Sequence, residues 1–484
     1  DVIRVEDTYY MVSTTMHFMP GCEILQSFDL VHWEHVTYVY ETLDHTDAQQ
    51  LKSGQNIYGQ GMWAASLRYH EGRFCICFVA NDTRKTYLYT SEKIDGPWKK
   101  QLIEGFYHDG SLLFDEDGRN YIVYGNDEIW ITELNEDLTA PKKDGLHRLL
   151  VSDHKNPELG YEGSHIQKIN GYYYIFLIHS LRDRWMRTEA CFYSDSLEGE
   201  FTGGDVLCDD RGYCGQGVAQ GGIVDTPDGK WYAMLFQDSG AVGRIPILLP
   251  VTWKDHFPFF GQNGHVPEEI EVHSTRPGYI YQPLVGSDDF CNGLLPRWQF
   301  NHDPDPRYYH LDALQGTYTI TTREVCTELT QAVNTLTQRM SYPSCAAEVT
   351  VDASALKEGD VAGLCALQGC YAAVGITKHH GKYEVLMLDK KEDGILDMTE
   401  GTVVESHQMD FRLEADFCNM KDEARCYYRV NKGDWLPIGT VHKLYFKLDH
   451  FTGCRFGLFC YAAEETGGSA CFRDFKYYDV DEIS

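Results

Sequence analysis

A loose repeat through the first half of the chain constrains the fold more than any other feature. Aromatic-rich segments recur at roughly 50-residue spacing: Tyr9-Tyr10-Met-Val-Ser, Phe74-Cys-Ile-Cys-Phe, Tyr121-Ile-Val-Tyr, Tyr172-Tyr-Tyr-Ile-Phe and Trp231-Tyr-Ala-Met-Leu-Phe. The first three lead to second segments ending in acidic turns, at Ser27 to Trp33, Ser91 to Trp98 and Thr132 to Leu138. Short strands of β-branched and aromatic residues, cut by Asp-Gly and Asn-Gly turns and with few long helical patterns, predict a β-propeller of five units. Such a fold gathers the inner strand of every unit around one axis. Residues far apart in sequence can therefore face one pocket.

At 484 residues the chain exceeds what one hydrophobic core usually serves. Between Pro267 and Ser287 the pattern changes to Arg-Pro-Gly-Tyr-Ile-Tyr-Gln-Pro-Leu, which reads as an ordered surface linker. Alternating segments follow, such as Ala346-Ala-Glu-Val-Thr-Val-Asp, Tyr383-Glu-Val-Leu-Met-Leu and Lys443-Leu-Tyr-Phe-Lys-Leu, which predict a β-sandwich. The expected architecture is all-β: a five-bladed propeller over residues 1–284, then a sandwich over 285–484.

Seventy-three acidic against 42 basic residues give a formal charge of −31, which argues against nucleic acid, since phosphate contacts need clustered Lys and Arg. No apolar run approaches the ~20 residues that span a bilayer, so a soluble protein without a membrane partner is expected. The 16 cysteines lack Cys-x-x-Cys spacing and many fall inside apolar strand patterns, which suits small core residues in a reducing cytoplasm. The sequence is compatible with a homo-oligomer. No zinc His-Glu-x-x-His motif or dinucleotide loop is present.

Two carboxyl groups stand just ahead of probable strands: Asp109 in Phe-Tyr-His-Asp-Gly-Ser-Leu-Leu-Phe and Glu162 in Tyr-Glu-Gly-Ser-His-Ile-Gln. Hydrolysis of a glycosidic bond needs one carboxylic acid to protonate the leaving oxygen and a second carboxylate to activate water or attack the sugar. These are the best such pair in the chain.

The opening Asp1-Val-Ile-Arg-Val-Glu-Asp-Thr-Tyr-Tyr-Met-Val-Ser, the segment Trp63-Ala-Ala-Ser-Leu-Arg, the Asp109 and Glu162 motifs and Gly243-Arg244-Ile-Pro-Ile-Leu-Leu-Pro together resemble family 43 of the glycoside hydrolases, the β-xylosidase and α-L-arabinofuranosidase group. Asn334-Thr-Leu-Thr-Gln-Arg-Met and Glu358-Gly-Asp-Val-Ala-Gly-Leu resemble the concanavalin-like sandwich appended to many of its β-xylosidases. The resemblance implies an inverting, exo-acting enzyme that releases xylose from the non-reducing ends of β-1,4-xylo-oligosaccharides or arabinoxylan-derived substrates, with side activity on α-L-arabinofuranosides and no cofactor for catalysis; the alternatives are a dedicated α-L-arabinofuranosidase and a carbohydrate-binding propeller that has lost catalysis. Glu162 would be the general acid, its pKa raised by burial and a neighbouring charge. Asp109 would be the carboxylate that orients it. The family's general base is an Asp in a Pro-Asp-Pro-Ser-like motif; alignment places it two positions before residue 1, so the chain is expected to be longer at its N-terminus or to lack its base. Asp1 matches that motif's last position and is not assigned the role.

By the same resemblance, Trp63 is an aromatic platform under the sugar, Arg244 reaches the glycone site, Phe18 walls the pocket, and the sandwich packs against the propeller mouth. Gln220 falls where relatives carry a histidine near the axis, which places it at the pocket floor and argues against a histidine-centred metal there. Asp288, Asp289 and Asp474 resemble residues of paired strands that hold a structural Ca²⁺ in related domains, an ion suited to carboxylate oxygens.

Overall fold

In a computed structural model, which describes residues 1–479, five four-stranded antiparallel sheets occupy the first half and two larger sheets the second. The five aromatic segments are in each case the second strand of a blade: Thr8–Ser13, Arg73–Ala80, Asn120–Asn126, Tyr172–Ser180 and Trp231–Asp238. They read as nearly continuous apolar runs because adjacent blades cover both faces, so alternation is lost. Phe74 to Ala80 and Tyr173 to Ser180 are buried at every position.

The innermost strands are Val2–Val5, Met62–His70, Ser111–Phe114, Glu162–Ile169 and Ala219–Asp225. Each touches the next, and the fifth touches the first, closing the ring. At that closure the Arg4 guanidinium holds the Asp225 carboxylate. The linker straps the same junction: Tyr232 donates to the Glu271 carbonyl at 3.0 Å, Phe28 N–H donates to Tyr281 Oη at 2.8 Å, and Gln282 N–H donates to Glu34 at 2.9 Å.

The sandwich pairs a nine-stranded with a seven-stranded antiparallel sheet. On the smaller sheet, Gln408–Asp416 turns Met409, Phe411, Leu413 and Ala415 into the core and leaves the alternate residues more open. On the larger, Val361–Leu367 is buried throughout, since a second apolar cluster containing Phe18, Leu329 and Tyr371 covers its outer face. The edge strand of that larger sheet is Phe18–Met19, lent by the first blade and paired with Gln299–Asn301. The two domains thus share a sheet. Eleven of the 16 cysteines are buried, and none is paired. No helix among the described residues is long and apolar enough to cross a membrane.

Candidate active site

Three of the five inner strands break register near the end that faces the sandwich, and each break aims a side chain at the axis. The irregularities fall between Met62 and Ala65, Glu162 and His165, and Ala219 and Gly222. A bulge re-aims the residues beside it; here these are Trp63, Glu162 and Gln220. Gly163 is required at its bulge, since it sits at φ 66° and a Cβ there would meet the Gln220 side chain at 2.7 Å. Asp109 arrives differently, from the turn closed by Gly110 N–H to the Tyr107 carbonyl, with its own backbone left-handed at φ 47°.

These residues line one cavity of about 500 Å³, a size typical of small-ligand sites. Trp63, Asp109, Glu162, Gln220 and Arg244 all reach it; Phe18 does not. Phe18 is fully buried under the sandwich, its ring 3.6 Å from the Arg455 guanidinium carbon. It fails as a pocket wall because its two-residue strand is drawn out of the blade by pairing with Asn301.

Asp109 is buried and accepts a hydrogen bond from Gly163 N–H at 3.0 Å. Burial raises its pKa; the neighbouring His108 charge opposes this and Glu162 adds to it. Glu162 accepts from the Asn126 amide at 2.7 Å. His108 Nε2 lies between the two carboxylates, 3.7 Å from Asp109 and 3.6 Å from Glu162. Burial pulls the imidazole down, but the nearby Glu162 and Asp109 carboxylates outweigh it and push the pKa up to about 9. The ligand atoms of these three residues lie within 4.8 Å of one another. A metal held there would take His108 as a neutral imidazole and the two carboxylates as oxygen ligands.

Arg244 sits with its guanidinium carbon 4.5 Å from the Phe236 ring and 4.2 Å from Phe451. Burial lowers its pKa to about 10, which leaves it charged at neutral pH. Asp238 holds it at 3.3 Å and holds Arg187 at 2.9 Å. Phe451 comes from the sandwich, edge-on to Trp63 at 5.4 Å. A close backbone approach delivers it: a Cβ on Gly243 would meet Gly453 N at 2.6 Å, and Cys454 N–H donates to the Ala241 carbonyl at 2.8 Å. The cavity is therefore a propeller mouth partly roofed by the second domain.

At the floor, Gln220 N–H donates to the buried Glu189 carboxylate at 2.7 Å. Burial holds Glu189 well above the usual carboxylate range. The Asp1 side chain is 1% exposed, with one oxygen accepting from Leu67 N–H at 2.9 Å and from Arg68, and the other 3.2 Å from His165. Both oxygens are engaged in holding the inner strands together. In the sandwich, Asp288, Asp289 and Asp474 border one shallow depression. Asp288 spends one oxygen on Phe290 N–H and the other on Trp298 Nε1, each at 2.8 Å, and so serves as a turn and core anchor. Sequence reasoning passed over His108, Asn126 and Phe451; His108 is adjacent to Asp109, while nothing local marks Phe451.

The family model for Glycosyl hydrolases family 43 matches residues 1–258, and that for the Beta xylosidase C-terminal Concanavalin A-like domain matches 287–478. Among solved structures, a bifunctional GH43-CE protein of Bacteroides eggerthii superposes with a TM-score of 0.91 at 42% identity over 100% of this chain. This chain spans 62% of that one's length. An engineered family 43 enzyme displaying endo-xylanase and exo-arabinofuranosidase activity superposes at 0.86, with 27% identity over 99% of this chain and 97% of that one. A β-xylosidase of Formosa agariphila is 26% identical over 542 residues, 99% of this chain and 87% of the relative. The chain belongs to family 43 of the glycosyl hydrolases.

Proposed function

We propose that the protein is an exo-acting, inverting β-xylosidase that releases xylose from the non-reducing ends of β-1,4-xylo-oligosaccharides. The observation that carries this reading is the convergence of Glu162, Asp109, Trp63 and Arg244 on one cavity narrowed by Phe451. A cavity closed at its floor and roofed on one side suits a terminal sugar better than the middle of a polymer. Trp63 supplies an apolar face, and Arg244 a fixed fork of donors for hydroxyls. Glu162 donates its proton to the leaving glycosidic oxygen as that bond breaks; water adds to the anomeric carbon from the opposite face and gives its proton to a base. Asp109 keeps Glu162 oriented through Gly163. Asp1 is not given the base role, because its oxygens already bind Arg68 and His165.

The second reading is an α-L-arabinofuranosidase, favoured by the exo-arabinofuranosidase activity that the engineered relative displays. The test is a proton NMR time course of xylobiose with the protein. α-Xylose appearing first is expected; β-xylose first overturns inversion. No xylose, with turnover of an aryl α-arabinofuranoside, gives the second reading.

Two smaller proposals accompany this one. Free thiols buried in both domains suit a reducing cytoplasm. A structural Ca²⁺ at the sandwich depression would rest on Asp289 and Asp474, both exposed, since Asp288 is already engaged. An unchanged Tm in EDTA would remove that ion.

A further inference from the structure

A second cleft of about 650 Å³ adjoins the catalytic cavity along the seam between the domains. Trp185 borders both. Asp238 forms part of the wall between them, lining the second cleft while its carboxylate holds Arg187 and Arg244 of the first. Across from Trp185 the sandwich contributes Tyr445 and Phe446, with Lys443 and Glu392 exposed at the rim.

Trp185 is 45% exposed, unusual for an indole in a loop this well tied. Met186 N–H donates to Ser180 Oγ at 2.7 Å, Ser180 Oγ donates to the Arg184 carbonyl at 3.1 Å, and Leu181 N–H donates to the Met186 carbonyl at 3.1 Å. The Arg187 guanidinium carbon lies 5.6 Å from the indole. The ring is thus held open to solvent on a fixed support, so a ligand stacking on it meets little ordering cost. An aromatic face flanked by polar and charged groups matches a neutral oligosaccharide, whose rings present apolar C–H faces and hydroxyl edges.

We infer that this cleft binds the leaving part of the substrate, with Trp185 as the stacking platform for a sugar beyond the cleaved bond. The inference rests on reading the first cavity as the site of the terminal sugar. Trp185 lines that cavity, is exposed to solvent and continues into the second cleft, so it marks a way out for the rest of the chain. Xylobiose places only one ring beyond the cleaved bond, so a cleft of this size favours substrates of three or more rings over it.

The test compares kcat and KM of the full chain and Trp185→Ala on aryl β-xyloside, xylobiose and xylotetraose. The variant is expected to lower kcat/KM for xylotetraose about tenfold more than for the aryl glycoside, with the loss in KM. An equal fall on all three, or none, overturns the inference and leaves the xylosidase reading intact. If the wild type cleaves no xyloside, that reading fails by itself. Calorimetry of xylotetraose on Glu162→Gln, with and without Trp185→Ala, then decides: about tenfold weaker binding sustains the cleft, unchanged binding removes it. Phe446→Ala, on the opposite wall, gives an independent variant with the same expected pattern.

Discussion

Two histidine-bearing regions lie close to the same seam and show opposite electrostatics. At the catalytic cavity, His108 is flanked by Asp109 and Glu162 and is pushed up to about 9. Between the domains, His17, His302 and His450 are fully buried around Tyr58. His17 lies 4.8 Å from His302 and 5.3 Å from His450, centroid to centroid. Among the described residues no carboxylate touches His17 or His302; the nearest charges are Arg455 and, for His450, Asp449 at 3.8 Å. Burial, then mutual repulsion, pulls His302 down to about 3 and His17 well below its usual value. Burial opposes the charged ring in both places. Carboxylates within 4 Å decide whether it wins.

Acid gives the largest predicted effect. His302 is neutral when folded, so the unfolded chain binds an extra proton between about pH 3 and 6.5. The His302 share of stability should be complete above pH 6.5 and fall by about 1.4 kcal/mol per pH unit below it, a loss approaching ~5 kcal/mol near pH 3, and His17 adds to the fall in the same direction. Tm against pH should show a fall on the acid side, and His302→Gln should make it shallower while leaving the His17 share. A slope unchanged by the substitution would mean the seam histidines are not the acid-sensitive element. His108 carries the opposite sign: its contribution is whole below pH 6.5 and lost as pH rises through about 9.

Glu162→Gln should lower kcat on xylobiose about a thousandfold and on activated aryl xylosides far less, because only a poor leaving group needs the proton. Equal losses would remove Glu162 from the acid role. Next in size, His108→Gln removes the cation between two carboxylates and should cost about a hundredfold in kcat, with the alkaline limb near pH 9 displaced. A pH profile of unchanged shape would make His108 merely structural. Smallest is His17→Phe, which replaces two buried ring nitrogens that have no partner among the described residues. About 1 kcal/mol of added stability at pH 7 is expected, read as a modest rise in Tm.

Much of the fold was legible because a blade's second strand is covered on both faces and must be continuously apolar, as in Phe74-Cys-Ile-Cys-Phe. Asp109 and Glu162 were legible because each sits where an inner strand begins. Other features depend on contacts between distant segments. Phe451 reaches the cavity only through the meeting of Gly243 and Gly453. Phe18 carries an aromatic in a loop-like motif, as a pocket wall would, yet its partner Asn301 lies in the other domain. Trp185 gives no local sign of facing a cleft, since half of that cleft is built by residues beyond 390.

The borrowed strand has a consequence for how the molecule is made. Met19 pairs with Phe300, about 280 residues further along. At ordinary rates of synthesis that interval is on the order of tens of seconds. Throughout it the first blade can form its own four strands while Phe18 and Met19 stand as an unpaired apolar edge, the kind of surface that invites wrong pairing. Cutting the chain at the linker would make that temporary condition permanent. A propeller expressed alone should therefore aggregate through its first blade, even though every blade is built from its own continuous stretch of sequence.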